Sequence, residues 1–136
     1  MPALQPLLDT PGLPPQLGRI AAGFPLEAIE DHQRIQLLDL LSEPGRYALR
    51  VGDDSMMAAG IFNGDIVIIQ SQQRARNGDI VAALIDNEQL TLKRIRYLED
   101  DRIRLFSDSS TLDIRDLKRT RVLIQGKVVG QLRHYP

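Results

Sequence analysis

The sequence predicts an all-β domain, mainly strands with one or two short helical turns, and three observations carry that expectation. Apolar residues cluster in short runs without a sustained 3.6-residue period, the runs are rich in Val and Ile, and turn pairs such as Asn-Gly separate them. Tyr47–Val51 reads as the first strand. Asp65–Gln70 follows the Asn63-Gly64 turn and carries a β-branched run, so it reads as a second. Asn77-Gly78 opens Asp79–Ile85, and the polar triplet Asp86-Asn87-Glu88 suits a hairpin loop into Leu90–Tyr97. Glu99-Asp100-Asp101 then turns the chain into Arg102–Phe106, where apolar residues and Arg alternate as on a half-exposed strand. Val122–Gln125 and Val128–Leu132 supply a last strand or pair. Only Ile35–Ser42 and Ser55–Ala59 look able to make a helical turn. The strands are expected to form compact, twisted, mixed sheets rather than a doubly wound one.

Upstream the texture differs. Five of the eight prolines lie in the first fifteen residues (Pro2, Pro6, Pro11, Pro14, Pro15), and Pro25 follows. Proline fixes φ and removes a backbone donor, so residues 1–18 are expected to be extended rather than folded. The implied division is a flexible proline-rich arm over 1–19, a connecting segment over 20–45 and a core domain over 46–136.

Composition narrows the function. At 136 residues with 43% hydrophobic residues, the chain has enough for one domain with a real core. Lys+Arg number 17 against 18 Asp+Glu, a balance that argues against direct nucleic-acid binding through a dense basic face. Cysteine is absent and only His32 and His134 are histidines, which removes disulfides, thiol nucleophiles and the common metal-ligand sets; no cofactor or metal is expected. No apolar run is long enough to span a bilayer and no signal pattern opens the chain, so the expected location is cytoplasmic.

The standard catalytic signatures also fail: there is no G-x-S-x-G elbow, glycine-rich phosphate loop or H-E-x-x-H. What remains is a serine and a lysine. Ser55 lies in Val51-Gly52-Asp53-Asp54-Ser55-Met56, where a strand gives way to a turn that can present a hydroxyl beside backbone N–H donors. Lys93 lies inside the apolar strand Leu90–Tyr97, sharing a face with Thr91, Ile95 and Tyr97. A lysine desolvated there loses affinity for its proton, and lowering its pKa by three units costs roughly 4 kcal/mol. Only three of the 17 basic residues are lysine (Lys93, Lys118, Lys127), and arginine cannot serve as a base. A lysine snorkelling from an edge strand would give the same pattern without catalysis.

Four blocks in order give the chain a family resemblance over residues 20–133. They are Ile20-Ala21-Ala22-Gly23-Phe24-Pro25; Asp54-Ser55-Met56 with Gly60-Ile61 and Asn63-Gly64-Asp65 behind it; Asn77-Gly78-Asp79-Ile80-Val81-Ala82-Ala83; and Thr91-Leu92-Lys93-Arg94. Together they resemble the LexA/UmuD group of self-cleaving serine–lysine peptidases, whose fold is shared with signal peptidases. The resemblance implies Ser55 as nucleophile, Lys93 as general base and Ala22–Gly23 as the bond cut, with the backbone N–H groups of Asp54 and Ser55 as candidate oxyanion donors. Phe24 before Pro25 is biased toward the extended form a peptidase binds. Two departures stand out. The family's glycine two places before the serine is Asp53 here, a problem if that position needs positive φ. The family's proline- and asparagine-containing segment after the lysine strand is replaced by Phe106-Ser107-Asp108-Ser109-Ser110.

Two branches follow from the resemblance. The short proline-rich arm and Gly23-Phe24-Pro25 look like a UmuD-type protein: an SOS-response accessory subunit working with a Y-family translesion DNA polymerase. If Met1 is not the natural start, residues 1–19 look like a linker and the chain like the C-terminal domain of a LexA-like repressor. Either branch implies stimulation by a RecA–single-stranded-DNA filament. It also implies a homodimer through the C-terminal strand, where Val122–Gln125 and Val128–Leu132 carry little charge and read as an exposed sheet edge.

Overall fold

The computed structural model describes residues 4–8, 10, 12–20, 23–25, 28–133 and 135. Its elements run β1 (Leu4–Pro6), α1 (Pro15–Ile20), α2 (Asp31–Leu40), β2 (Arg46–Val51), β3 (Ile66–Gln70), β4 (Ile80–Ile85), β5 (Gln89–Leu98), β6 (Arg102–Phe106), β7 (Ile114–Lys118) and β8 (Val122–Leu132). The strands form one sheet in the order β1-β2-β3-β8-β4-β5-β6-β7. The all-β class read from the sequence holds. Every pairing between these strands is antiparallel, so the mixed character expected for the sheets reduces to one parallel bridge, Leu7 to Phe24.

The hairpins form where the acidic and amide residues permit positive φ. Asp86 and Asn87 have φ of 52° and 57° and join β4 to β5; Asp100 and Asp101, at 60° and 58°, join β5 to β6. Both pairs match a turn whose twist suits antiparallel neighbours. Arg121 clamps the first turn through two bonds to the Asp86 carboxylate, at 2.8 and 2.7 Å.

The uninterrupted apolar runs of β3 and β4 exist because both faces of the sheet are covered. On β4, Ala82 and Leu84 pack with Tyr47, Leu49, Ile69 and Leu92, whereas Val81, Ala83 and Ile85 pack with Ile95, Ile103, Leu105 and Leu117. Helix α2 covers a third cluster by burying Leu37 near Ala48, Ile66 and Ile68.

Two expectations change here. The stretch read as an extended arm is partly folded: β1 pairs with β2, Pro15 starts a helix at a position that needs no N–H donor, and Leu4, Leu7 and Leu17 are buried. Burial of those leucines outweighs the proline content. Second, β8 is not an edge strand. Its first half pairs with β4 and its second half with β3, with Lys127 opposite both Val81 and Gln70. Gly126 permits this crossing: its φ is 150°, and a Cβ there would lie 2.4 Å from the Gln70 carbonyl oxygen. Register shifts occur on each side of the bend. Beyond it, residues 128–132 pair with β3 alone, so that half of β8 keeps one side without a strand partner among the described residues.

Candidate active site

Ser55 lies on the turn that leaves β2. The turn is anchored at its centre by Met56, which is buried against the main apolar cluster. The Met56 carbonyl accepts the amides of Ala59 and Ile61, and Gly60 closes the short 3-10 turn Met57–Ala59 with φ 85°. Behind it, Asp65 is buried and accepts Phe62 N–H at 2.9 Å and two bonds from Arg133, at 2.8 and 2.7 Å. That pairing raises the Arg133 pKa above its ordinary value, the Asp65 hydrogen bond being the main cause. Arg133 also donates to the Gly60 carbonyl at 2.7 Å and stacks over Phe62. The Asn63-Gly64-Asp65 block read from the sequence therefore fixes the Ser55 turn from the rear.

Lys93 lies on β5 opposite Val81, on the face predicted from strand alternation. Its side chain is only 12% exposed, and Nζ lies 2.9 Å from Asp113 Oδ2. Asp113 stands on the turn between β6 and β7. Thr91, Lys93, Leu105, Asp113, Arg115 and Asp53 are among the residues lining a cavity of about 130 Å³. Ser55 is tied to the cavity wall by Asp53, whose Oδ1 accepts the Ser55 hydroxyl at 2.9 Å and the Ser55 amide at 3.1 Å. Lys93 and the Ser55-bonded Asp53 thus line one cavity. Among the described residues no hydrogen bond joins Ser55 to Lys93; each is bonded to a carboxylate instead.

The loop after β6 adds contacts the sequence reading left without a role. The Ser107 hydroxyl donates to the Ser55 carbonyl, and the Ala58 amide donates to Ser109 Oγ at 3.0 Å. Arg94, beside Lys93, grips Asp108 with two bonds of 2.8 and 2.7 Å and donates to the Gly78 carbonyl at 2.6 Å. Ser107, Asp108 and Ser109 therefore tie the Ser55 turn to β5. A short polar run between two strands was the only sequence signal for it, and nothing in the sequence marked Asp113.

Several expected positions are visible. Asp53 is not among the non-glycine residues with positive φ, so the missing glycine leaves no left-handed strain. The Ser55 amide, a candidate oxyanion donor, is occupied by Asp53, whereas the Asp54 amide makes no hydrogen bond among the described residues. Gly23 packs against Leu8, and Phe24 N–H donates to the Pro6 carbonyl at 2.8 Å. Ala22 and His134 lie outside the described residues. His32 is exposed and sits 3.6 Å from Glu30. No helix among the described residues is long and apolar enough to cross a membrane.

The LexA repressor of Erythrobacter litoralis (strain HTCC2594) is 44% identical over 122 residues, a stretch covering 89% of this chain and 52% of that repressor, so the chain spans about half the length of the relative it matches. The similarity favours the repressor-domain branch over the UmuD-like one. The Peptidase S24-like profile matches residues 15–129, spanning both the Ser55 turn and the Lys93 strand, and the chain belongs to that family.

Proposed function

We propose that this chain is a self-cleaving domain of a LexA-like repressor of the SOS response, with Ser55 as nucleophile, Lys93 as general base and Ala22–Gly23 as the bond cut. The observation that carries the reading is that Lys93 and Asp53, the carboxylate bonded to Ser55, line one cavity in a chain of a peptidase family. Neutral Lys93 takes the Ser55 proton, and Oγ bonds to the Ala22 carbonyl carbon. Nearby backbone amides, Asp54 among them, stabilise the oxyanion. The bond to Gly23 nitrogen then breaks as that nitrogen takes the proton from Lys93, and water hydrolyses the Ala22 ester.

The arrangement described above is a resting one. Phe24 is bonded to Pro6, Leu8 N–H donates to the Phe24 carbonyl at 3.1 Å, and no hydrogen bond joins Gly23 or Phe24 to Ser55 or Lys93 among the described residues. Cleavage therefore needs a minor arrangement in which this segment leaves β1 and enters the cavity. A RecA–single-stranded-DNA filament would act by favouring that arrangement. Mass spectrometry of aged protein tests the reading. It should find fragments ending at Ala22 and beginning at Gly23, absent from Ser55→Ala; a cut elsewhere, or one that survives Ser55→Ala, rejects it.

A further inference from the structure

We propose that Asp53 is an inhibitory positioning residue that holds the Ser55 hydroxyl in reserve. The proposal rests on Ser55 being the nucleophile of the function proposed above. One oxygen, Asp53 Oδ1, accepts both the Ser55 hydroxyl and the Ser55 amide, at 2.9 and 3.1 Å. These are two of the groups that an arriving peptide carbonyl requires: the hydroxyl must be free to attack, and an amide beside the nucleophile is suited to hold the developing oxyanion. A carboxylate oxygen already carries the charge that an oxyanion acquires, so it competes strongly for the same donors. Glycine, the residue of the family pattern at this position, has no side chain with which to compete.

The surroundings suit a displaceable group rather than a fixed one. Asp53 is half-exposed and lines the cavity that also holds Lys93 and Asp113, so its side chain has somewhere to go when a peptide displaces it. Its backbone needs no positive φ, so the contact is not a by-product of strain. Lys93 is held by Asp113 in the same way. Hydroxyl and amine thus each have a carboxylate partner, and reaction begins when both exchange it for one another.

The test measures Ser55 reactivity directly. The full chain is incubated at pH 8.5 with a fluorophosphonate probe, which phosphonylates an activated serine with loss of fluoride, and the labelled residue is located by peptide mass spectrometry. Labelling of Ser55 should rise from wild type through Asp53→Asn, which keeps one acceptor oxygen, to Asp53→Ala, by about tenfold at the end of the series. The Ser55 amide proton resonance should move upfield in the same order, with Tm little changed. Equal or slower labelling of Ser55 in both variants overturns the role of Asp53 and leaves the nucleophile assignment intact. So does faster labelling that follows a fall in Tm while the amide resonance stays put. If Ser55 is unlabelled in every chain, no nucleophile is being restrained, and this proposal falls together with the reading it rests on.

Discussion

Lys93 Nζ lies 2.9 Å from Asp113 Oδ2, and the lysine is far less exposed than its partner, 12% against 37%. An amine engaged this way must leave its carboxylate before it can take a proton from Ser55. Asp113→Asn should therefore speed self-cleavage at pH 8, by up to about fivefold, because a partly exposed ion pair contributes at most ~1 kcal/mol. A gel time course of both proteins measures this. A slower variant would mean that Asp113 orients Lys93 for the reaction instead of restraining it.

Tyr47 ties β2 to the bend in β8. Its hydroxyl is buried and donates to the Gln125 carbonyl at 2.8 Å. Tyr47→Phe removes that bond and should lower the unfolding free energy by about 1 kcal/mol in a urea titration. Burial also pushes the Tyr47 phenol well above its ordinary range. Below the unfolded value near ~10 both states keep the proton and the contribution is complete. Above it the unfolded chain ionises while the folded one resists, so stability falls as pH rises toward the folded value. The gap between wild type and Tyr47→Phe should shrink above pH 10; a constant gap would contradict this.

Assembly is a separate expectation. Among the described residues, residues 128–132 pair with β3 alone, and Val129, displaced at the register shift between Ile68 and Ile69, is 43% exposed. Two copies meeting along this free side would form a two-fold, self-complementary interface that covers both valines. Light scattering at about 50 μM should show a dimer, given a typical dissociation constant of ~1 μM, and Val129→Arg should shift it to monomer. A monomer mass for the wild type would refute the dimer.

The local elements were legible because their signals are local. β-branched runs and the Asp-Asn and Asp-Asp turns mark β3, β4, β5 and β6 without knowledge of the whole. β7 was not legible: Ile114-Arg115-Asp116-Leu117-Lys118 has one buried residue, Leu117, and a charged pattern that resembles a loop. The interior place of β8 depends on a bend at Gly126 that only tertiary contact with Gln70 explains. In the site, Ser55 and Lys93 carried motif signals, but their carboxylate partners did not. Asp53 was noticed as a departure in backbone terms, whereas its consequence lies in its side chain. Asp113 reaches Lys93 across a turn whose geometry no short-range pattern records.

The most direct test of the Ser55–Lys93 assignment is the rate of self-cleavage between pH 7 and 9.5, measured for wild type, Ser55→Ala and Lys93→Arg. As the proposed base Lys93 must be neutral to act, so the wild-type rate should climb with pH across this range. Ser55→Ala should be inert, and Lys93→Arg nearly so at every pH, since arginine keeps its charge throughout. A flat wild-type profile, or Lys93→Arg cleaving at the wild-type rate, would contradict the account.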